Sequence, residues 1–89
     1  MPRVVFTSAL QRHIEVPEHD VEAGSVGGAL EAVFLKTPRL RAYILDDDGA
    51  VRKHIAIWIS GQAIRDRKTL SDEVKPEDEI YVMQALSGG

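Results

Sequence analysis

The sequence contains no cysteine. This absence excludes a disulfide framework, a thiolate metal site and a cysteine nucleophile, and it fits a reducing compartment. The three histidines, His13, His19 and His54, are widely spaced and show no metal-ligand pattern. Each is interpreted as a surface or strand residue, so we expect no metal site.

Positive charge and long apolar runs are also scarce. The formal net charge is −3, and the sequence has no basic stripe of the kind that binds nucleic acid. No stretch approaches the roughly 20 apolar residues that span a bilayer. The first residues, MPRVVF, lack the features of an export signal. We therefore expect a cytoplasmic protein that binds neither nucleic acid nor membrane.

The composition is that of one small globular domain. Of the 89 residues, 44% are hydrophobic and 28% are charged, close to the globular average. A domain of this size buries somewhat more than roughly 60% of its unfolded surface, so its core must be formed by few residues. We predict a folded domain over residues 1–85 and a flexible tail over residues 86–89.

Strand-forming residues are concentrated in four segments. Residues 3–9 are rich in β-branched and aromatic types and predict a first strand. Residues 14–23 form a second extended segment, in which Pro17 indicates an edge or a bend. Residues 51–60, VRKHIAIWIS, are the strongest strand, with Ile55, Ile57 and Ile59 on one face. Residues 80–86, IYVMQAL, form the final strand.

One helix is predicted after Ser25, whose hydroxyl is a good N-cap. Four apolar residues recur at i, i+4, i+7 and i+8 and form its buried stripe: Val26, Leu30, Val33 and Phe34. Gly27 and Gly28 weaken its first turn, and either allow close approach to the sheet or are merely tolerated. Pro38 ends the helix.

The segments between these elements give weaker signals. Residues 39–45 are ambiguous between a helical turn and a short strand. Residues 46–50, DDDGA, predict a solvated turn, because a calcium loop needs alternating oxygen ligands over about twelve residues. We expect a short extended piece around Ile64 and a helical turn around Leu70.

This order of elements predicts an α+β fold. One helix laid across one face of a mixed sheet of four to five strands buries the apolar stripe economically. That arrangement is the β-grasp, or ubiquitin-like, fold. Its first and last strands are both central, so we expect the last strand to be firmly held and whatever follows it to project away.

Two long segments, LDDDGAVRKHIAIWISGQAIR and TLSDEVKPEDEIYVMQALSGG, resemble the ubiquitin-like sulfur carriers. This MoaD/ThiS-type family includes the small subunit of molybdopterin synthase and the thiamine sulfur carrier. The resemblance covers nearly the whole chain and is most specific at the Gly-Gly end. The sequence departs from the family at Ala56 and Ser60, where asparagine is frequent, and in RDRKT, where glycine is common. The receiving pathway is left open among molybdopterin, thiamine, cysteine, thiolated tRNA and siderophore-like products.

The resemblance implies a carrier and not an enzyme. An E1-like adenylating enzyme would use ATP with Mg to activate Gly89, and a persulfide donor protein would convert it to a thiocarboxylate for a sulfur-acceptor synthase. No cofactor would be bound permanently. Residues 86–89 span at most about 14 Å, and glycines let backbone thread a narrow channel. The threading residues would be Leu86, Ser87 and Gly88.

The sheet face opposite the helix is the predicted docking surface. It would carry Trp58 and Met83, with Tyr81 or Ala56 beside them, and such residue types are enriched at interfaces. The plainer interpretation packs Trp58 against its own loop. Two other functions remain open: a protein modifier joined through Gly89 to a lysine, and an interaction subunit that is never activated.

Overall fold

The computed structural model describes residues 1–7 and 18–84. Within this part, the elements in chain order are β1 (Arg3–Phe6), β2 (Glu18–Asp20), α1 (Val26–Lys36), α2 (Leu40–Ile44), β3 (Ile55–Ile59), β4 (Gln62–Ala63) and β5 (Glu79–Gln84). The described residues contain no helix that is both long enough and apolar enough to cross a membrane.

The strands form one mixed sheet in the order β2-β1-β5-β3-β4. Strands β1 and β5 are parallel, whereas β1 with β2, β3 with β5 and β3 with β4 are antiparallel. Strand β5 is the centre of the sheet and β1 lies directly beside it. The predicted α+β arrangement with four to five strands is confirmed, with five strands present, and the last strand has a neighbour on each edge.

The core lies on one face of this sheet. Alternate strand residues point into it because successive side chains of a strand face opposite sides. The sheet contributes Val4, Phe6, Ile55, Ile57, Ile80 and Val82, all at most 1% exposed. Helix α1 contributes Val26, Leu30, Val33 and Phe34, so the predicted stripe is confirmed. The Ser25 hydroxyl caps the helix by accepting from the Gly28 amide at 3.1 Å.

The start of the third strand was predicted wrongly. Strand β3 begins at Ile55 and not at residue 51, because Val51 forms an isolated bridge with Leu45 and residues 53–54 form a turn. The Arg67 guanidinium holds that turn by donating to the carbonyls of Arg52 and Ile55 at 2.8 and 2.7 Å. The ambiguous residues 39–45 are mostly helical, in α2.

The glycine-rich start of α1 lies against a loop and not against the sheet. The amides of Val26 and Gly27 donate to the carbonyls of Asp72 and Leu70 at 3.0 and 2.9 Å. A Cβ on Gly27 would stand only 3.2 Å from the Leu70 carbonyl oxygen. The loop therefore satisfies amides that a helix N-terminus otherwise leaves without a partner, and Gly27 permits the close approach.

Candidate functional site

Strand β5 carries the predicted reactive end out of the sheet. Its Ile80 and Val82 side chains are fully buried, and the Val82 carbonyl also accepts from the Thr7 amide at 3.1 Å. Strand β5 pairs with β3 from Ile80 to Gln84 and with β1 from Glu79 to Val82. The strand is therefore held on both edges up to Val82 and on the β3 edge up to Gln84. The predicted tail residues Leu86, Ser87, Gly88 and Gly89 lie outside the described residues.

The four predicted docking residues lie together on the outer face of the sheet. In the β3–β5 register, Ala56 is opposite Met83 and Trp58 is opposite Tyr81. Directly opposed residues of an antiparallel pair project from the same face, about 5 Å apart. All four are half-buried. The structure thus joins them in one apolar patch on β3 and on β5, the strand that leads to the tail.

Two further residues extend this patch. Val5 lies opposite Tyr81 on β1, and Ala63 lies opposite Trp58 on β4. Alternation along β1 already indicates that Val5 faces away from Val4 and Phe6. A local pattern does not indicate the pairing of β1 with β5, however, so the sequence does not predict Val5 as part of this surface. We refer to Val5, Ala56, Trp58, Ala63, Tyr81 and Met83 as the outer patch.

Acidic residues border the outer patch at the end where β5 begins. Arg3 donates to Asp20 and Glu18 at 3.2 and 3.4 Å, and it pairs in register with Glu79. The hydrogen bond and the charge of Asp20, together with the charge of Glu18, raise the pKa of Arg3. One guanidinium thus faces three carboxylates, and this border is net negative.

Several solved structures are similar to this chain over nearly its whole length. The small archaeal modifier protein 1 (SAMP1) of Methanosarcina acetivorans is 26% identical, with 99% of this chain and 95% of that chain covered and a TM-score of 0.80. SAMP1 of Haloferax volcanii is 25% identical over 99% and 98%, at 0.78. A chain of the BexX/CysO complex of Amycolatopsis orientalis is 18% identical over the full length of both, at 0.84. No protein-family model and no curated protein matches the sequence.

This chain is a ubiquitin-like β-grasp protein. The resemblance drawn from the sequence is confirmed by SAMP1 at the level of the superfamily of ubiquitin-like sulfur carriers and modifiers. CysO and the Urm1 protein of Sulfolobus solfataricus, at 18% and 19% identity, share the fold. Each alignment with SAMP1 and CysO covers nearly all of both chains, so these neighbours are small ubiquitin-like proteins of comparable length.

Several acidic side chains of this ubiquitin-like chain stabilise its own loops by hydrogen bonds. Asp66 accepts from the hydroxyls of Ser71 and Thr69, and these bonds hold its pKa far below the ordinary carboxyl range. The resulting loop carries Leu70, buried at a positive φ of 59°. Asp46 accepts from the amides of Asp48 and Ala50 at 2.9 and 3.0 Å, as a solvated turn requires.

A polar groove of about 420 Å³ lies at the opposite end of the sheet from the tail. Its Asp72 carboxylate accepts from the amides of Arg65 and Asp66 at 2.9 and 2.7 Å. Its Asp78 carboxylate accepts from the Lys75 amide and the Ser60 hydroxyl at 2.8 and 2.9 Å, which lowers the pKa of Asp78. Both carboxylates therefore fix turns. Within residues 1–7 and 18–84, no three acidic or histidine side chains cluster as metal ligands.

Proposed function

We propose that this ubiquitin-like chain is a sulfur carrier, activated at the α-carboxylate of Gly89. The observation that carries the proposal is the position of β5: this central strand pairs with β1 up to Val82 and with β3 up to Gln84, five residues before Gly89. Such a strand gives a rigid base to a short segment with two glycines at its end. That is what delivery of a carboxylate into a partner's nucleotide pocket requires.

The proposed chemistry has three steps. The Gly89 carboxylate attacks the α-phosphorus of ATP in an E1-like adenylating enzyme with Mg, and pyrophosphate leaves. The terminal sulfur of a persulfide on a donor protein then attacks the acyl carbon, and AMP leaves. A thiol cleaves the resulting acyl disulfide, which yields the Gly89 thiocarboxylate and an ordinary disulfide. A sulfur-acceptor synthase consumes the thiocarboxylate.

In this scheme the partner enzymes catalyse every step. The chain supplies a carboxylate of low reactivity, and adenylation provides its leaving group. Leu86, Ser87 and Gly88 thread the channel of the activating enzyme, and Gly88 and Gly89 present no Cβ beside the reacting carbon. We propose that the chain acts in the cytoplasm, because the sulfur-carrier role requires ATP, Mg and thiols, which are present there.

The outer patch is the proposed docking surface for the E1-like enzyme. Trp58, Tyr81 and Met83 are half-buried on the outer face of the sheet; Tyr81 and Met83 lie on β5, which leads to the tail, and Trp58 lies on the neighbouring β3. Aromatic and methionine side chains are enriched in the cores of interfaces. Binding at this patch would hold the tail at a fixed distance from the nucleotide pocket.

A second function shares the first step. SAMP1, at 25–26% identity, is named a small archaeal modifier protein. In a modifier, a lysine amine of another protein attacks the adenylated Gly89 carbonyl, AMP leaves, and an isopeptide bond forms in place of the thiocarboxylate. The two functions diverge after adenylation.

The test begins with the intact mass of the protein from its source, which establishes whether Gly89 carries the free carboxylate. The purified chain is then incubated with ATP, Mg and each E1-like enzyme of the source organism. We expect ATP–pyrophosphate exchange that requires the chain. Deletion of Gly89 should abolish exchange. The circular dichroism and thermal unfolding of this variant should match those of the native chain.

Addition of a persulfide donor and a thiol separates the two functions. A carrier gains one sulfur in place of one oxygen at Gly89, measured by intact mass. A modifier instead appears as high-mass adducts with a Gly89–lysine linkage in tryptic digests. Absence of exchange with every enzyme, or full exchange by the variant without Gly89, would contradict activation and leave only an interaction subunit.

A further inference from the structure

The last residues of β5 have fewer strand neighbours than its centre. Within the described ranges, the pairing of β1 with β5 ends at Val82. Met83 and Gln84 then pair with the first two residues of β3, Ala56 and Ile55. The base of the tail therefore depends on how firmly the start of β3 is held.

The hydrogen-bond pattern of the β3–β5 pair shows which way the Ile55 carbonyl points. The Ser60 amide donates to the Glu79 carbonyl at 2.9 Å. Hydrogen-bonded and non-hydrogen-bonded pairs alternate along antiparallel strands. Along this register, Ala56 and Met83 form a hydrogen-bonded pair, and the next pair, which contains Ile55, is not hydrogen-bonded. The Ile55 carbonyl therefore points away from β5.

Arg67 lies at the edge of β3 to which this carbonyl points. Farther along the same edge, the Ile64 amide that follows β4 donates to the Ile57 carbonyl at 3.0 Å. At Ile55 the guanidinium takes the place of a strand, because Arg67 Nη2 donates to the Ile55 carbonyl at 2.7 Å and to the Arg52 carbonyl at 2.8 Å. One nitrogen atom thus joins the first and last residues of the turn before β3.

The backbone of Arg67 is itself held in place. The Val51 amide donates to the Arg67 carbonyl at 2.8 Å. The preceding residue, Asp66, accepts from the amides of Lys68 and Thr69 at 3.1 and 2.9 Å, and these bonds close the loop around Arg67. The Arg67 side chain is half-buried. The guanidinium is therefore a fixed support for the start of β3.

The length of the segment after Gln84 makes its starting direction important. Residues 85–89 span up to about 18 Å when extended, so a tilt of about 10° at the base moves Gly89 by about 3 Å. A misplacement of about 1 Å can lower a reaction rate on the order of 100-fold. Glycine backbone takes up part of such a displacement, so we expect a smaller loss than this.

We propose that Arg67 is a positioning residue for the activation of Gly89: by holding the start of β3, it fixes the direction in which the tail leaves the sheet. This inference rests on the proposed function. Arg67 acts after docking. The outer patch holds the domain on the E1-like enzyme, and Arg67 sets the fraction of docked complexes in which Gly89 reaches the nucleotide pocket.

Arg67→Met tests this role, because it removes both hydrogen bonds and keeps an apolar stem. We measure kcat and KM for adenylation against carrier concentration, with the E1-like enzyme that supports pyrophosphate exchange. We expect kcat to fall about tenfold and KM to change by at most about twofold. Arg67→Lys keeps a donor and should lose less of kcat. Arg65→Met, the same change at an exposed arginine of the same loop, should leave both constants unchanged.

A buried control separates position from stability. Val33→Ala opens a cavity in the core at α1 and lowers stability, but it keeps Arg67 and its two hydrogen bonds. Its kcat should stay at the native value at a temperature where every variant is folded. An unchanged kcat in Arg67→Met, a change in KM alone, or an equal fall of kcat in Val33→Ala would overturn the proposal, while pyrophosphate exchange by the native chain still upholds activation. Absence of exchange would overturn both.

Amide hydrogen exchange tests the role of Arg67 without an enzyme. The Ile55 amide donates to the Arg52 carbonyl at 3.0 Å, and the alternation along the ladder directs the Met83 amide toward β3. We expect the Ile55 and Met83 amides to exchange about tenfold faster in Arg67→Met, with the Tyr81 amide unchanged. Unchanged exchange at Met83, or an equal increase at Tyr81 and Met83, would contradict a local effect on the base of the tail.

Discussion

The two faces of strand β5 differ in burial and in composition. On the inner face, Ile80 and Val82 are fully buried against helix α1 and the other core residues. On the outer face, Tyr81 and Met83 are half-buried and lie beside Trp58 and Ala56. Because side chains alternate along a strand, one short segment serves stability with every second residue and can serve recognition with the others. Substitutions on the two faces should therefore separate these properties.

The largest effect is expected on the inner face. Ile80→Ala removes a fully buried side chain from the central strand and leaves a cavity that neighbouring strands can only partly fill. We expect a loss of about 2–5 kcal/mol in the free energy of unfolding, measured by chemical denaturation. For a small domain this is a large share of the total stability.

Met83→Ala is the matched control on the outer face of the same strand. Met83 is already partly exposed and pairs across the strand with the small Ala56. We expect a loss of at most about 1 kcal/mol, the scale of a cross-strand pair. If Ile80→Ala and Met83→Ala lower the free energy of unfolding equally, the outer face is part of the core and the two faces of β5 do not differ in function.

Trp58→Ala tests the use of the outer patch. Buried tryptophans at the centre of an interface often contribute about 2 kcal/mol or more to binding. We therefore expect KM for the chain in adenylation to rise about 30-fold, as 1.4 kcal/mol corresponds to tenfold. Stability should fall by about 1 kcal/mol, because Trp58 is only half-buried and pairs with Tyr81.

The opposite result for Trp58→Ala is equally informative. A loss of stability as large as that of Ile80→Ala, with KM unchanged, would mean that Trp58 packs as a structural residue. The controls are the kcat of the variant, which should stay at the native value, and Ala63→Ser at the border of the patch, which should change neither quantity much.

Local periodicity made much of the fold predictable. The i, i+4, i+7, i+8 stripe of α1 and the alternation in β3 are properties of neighbouring residues, and both are confirmed. The same alternation put Trp58 and Met83 on the outer face before their register was known. The central position of the first and last strands followed from the β-grasp arrangement of the elements, since periodicity alone does not say which strands are neighbours.

Features built by distant residues could not be predicted. Strand β3 begins at Ile55 because Arg67, twelve residues later, binds the Ile55 carbonyl and closes the preceding turn. Val5 joins the outer patch only through the parallel pairing of β1 with β5. Leu70 takes a positive φ, rare for a residue with a Cβ, because Asp66 and the start of α1 bind the loop around it. None of these contacts leaves a local pattern.

The smallest effect concerns the loop that covers the inner face at the start of α1. Asp66 accepts from the hydroxyls of Ser71 and Thr69 and from their amides, which lowers its pKa below the ordinary value of 3.8. A lowered folded pKa stabilises the fold above the unfolded value, and this stabilisation disappears as pH falls through the folded value. The stabilisation should thus be complete at neutral pH and decline below about pH 4.

Asp66→Asn should therefore lower stability at neutral pH and flatten the decline of stability below pH 4. Asp47→Asn, an exposed carboxylate in the turn of residues 46–50, is the control and should leave the neutral-pH stability nearly unchanged. Denaturation midpoints between pH 2.5 and 7 give both curves. If the Asp66→Asn and native curves run parallel, the loop is held by the contacts of Leu70 in the core and not by the charge of Asp66. In that case the inner face would depend on apolar burial alone even at its edge, and the contrast with the outer patch would be sharper still.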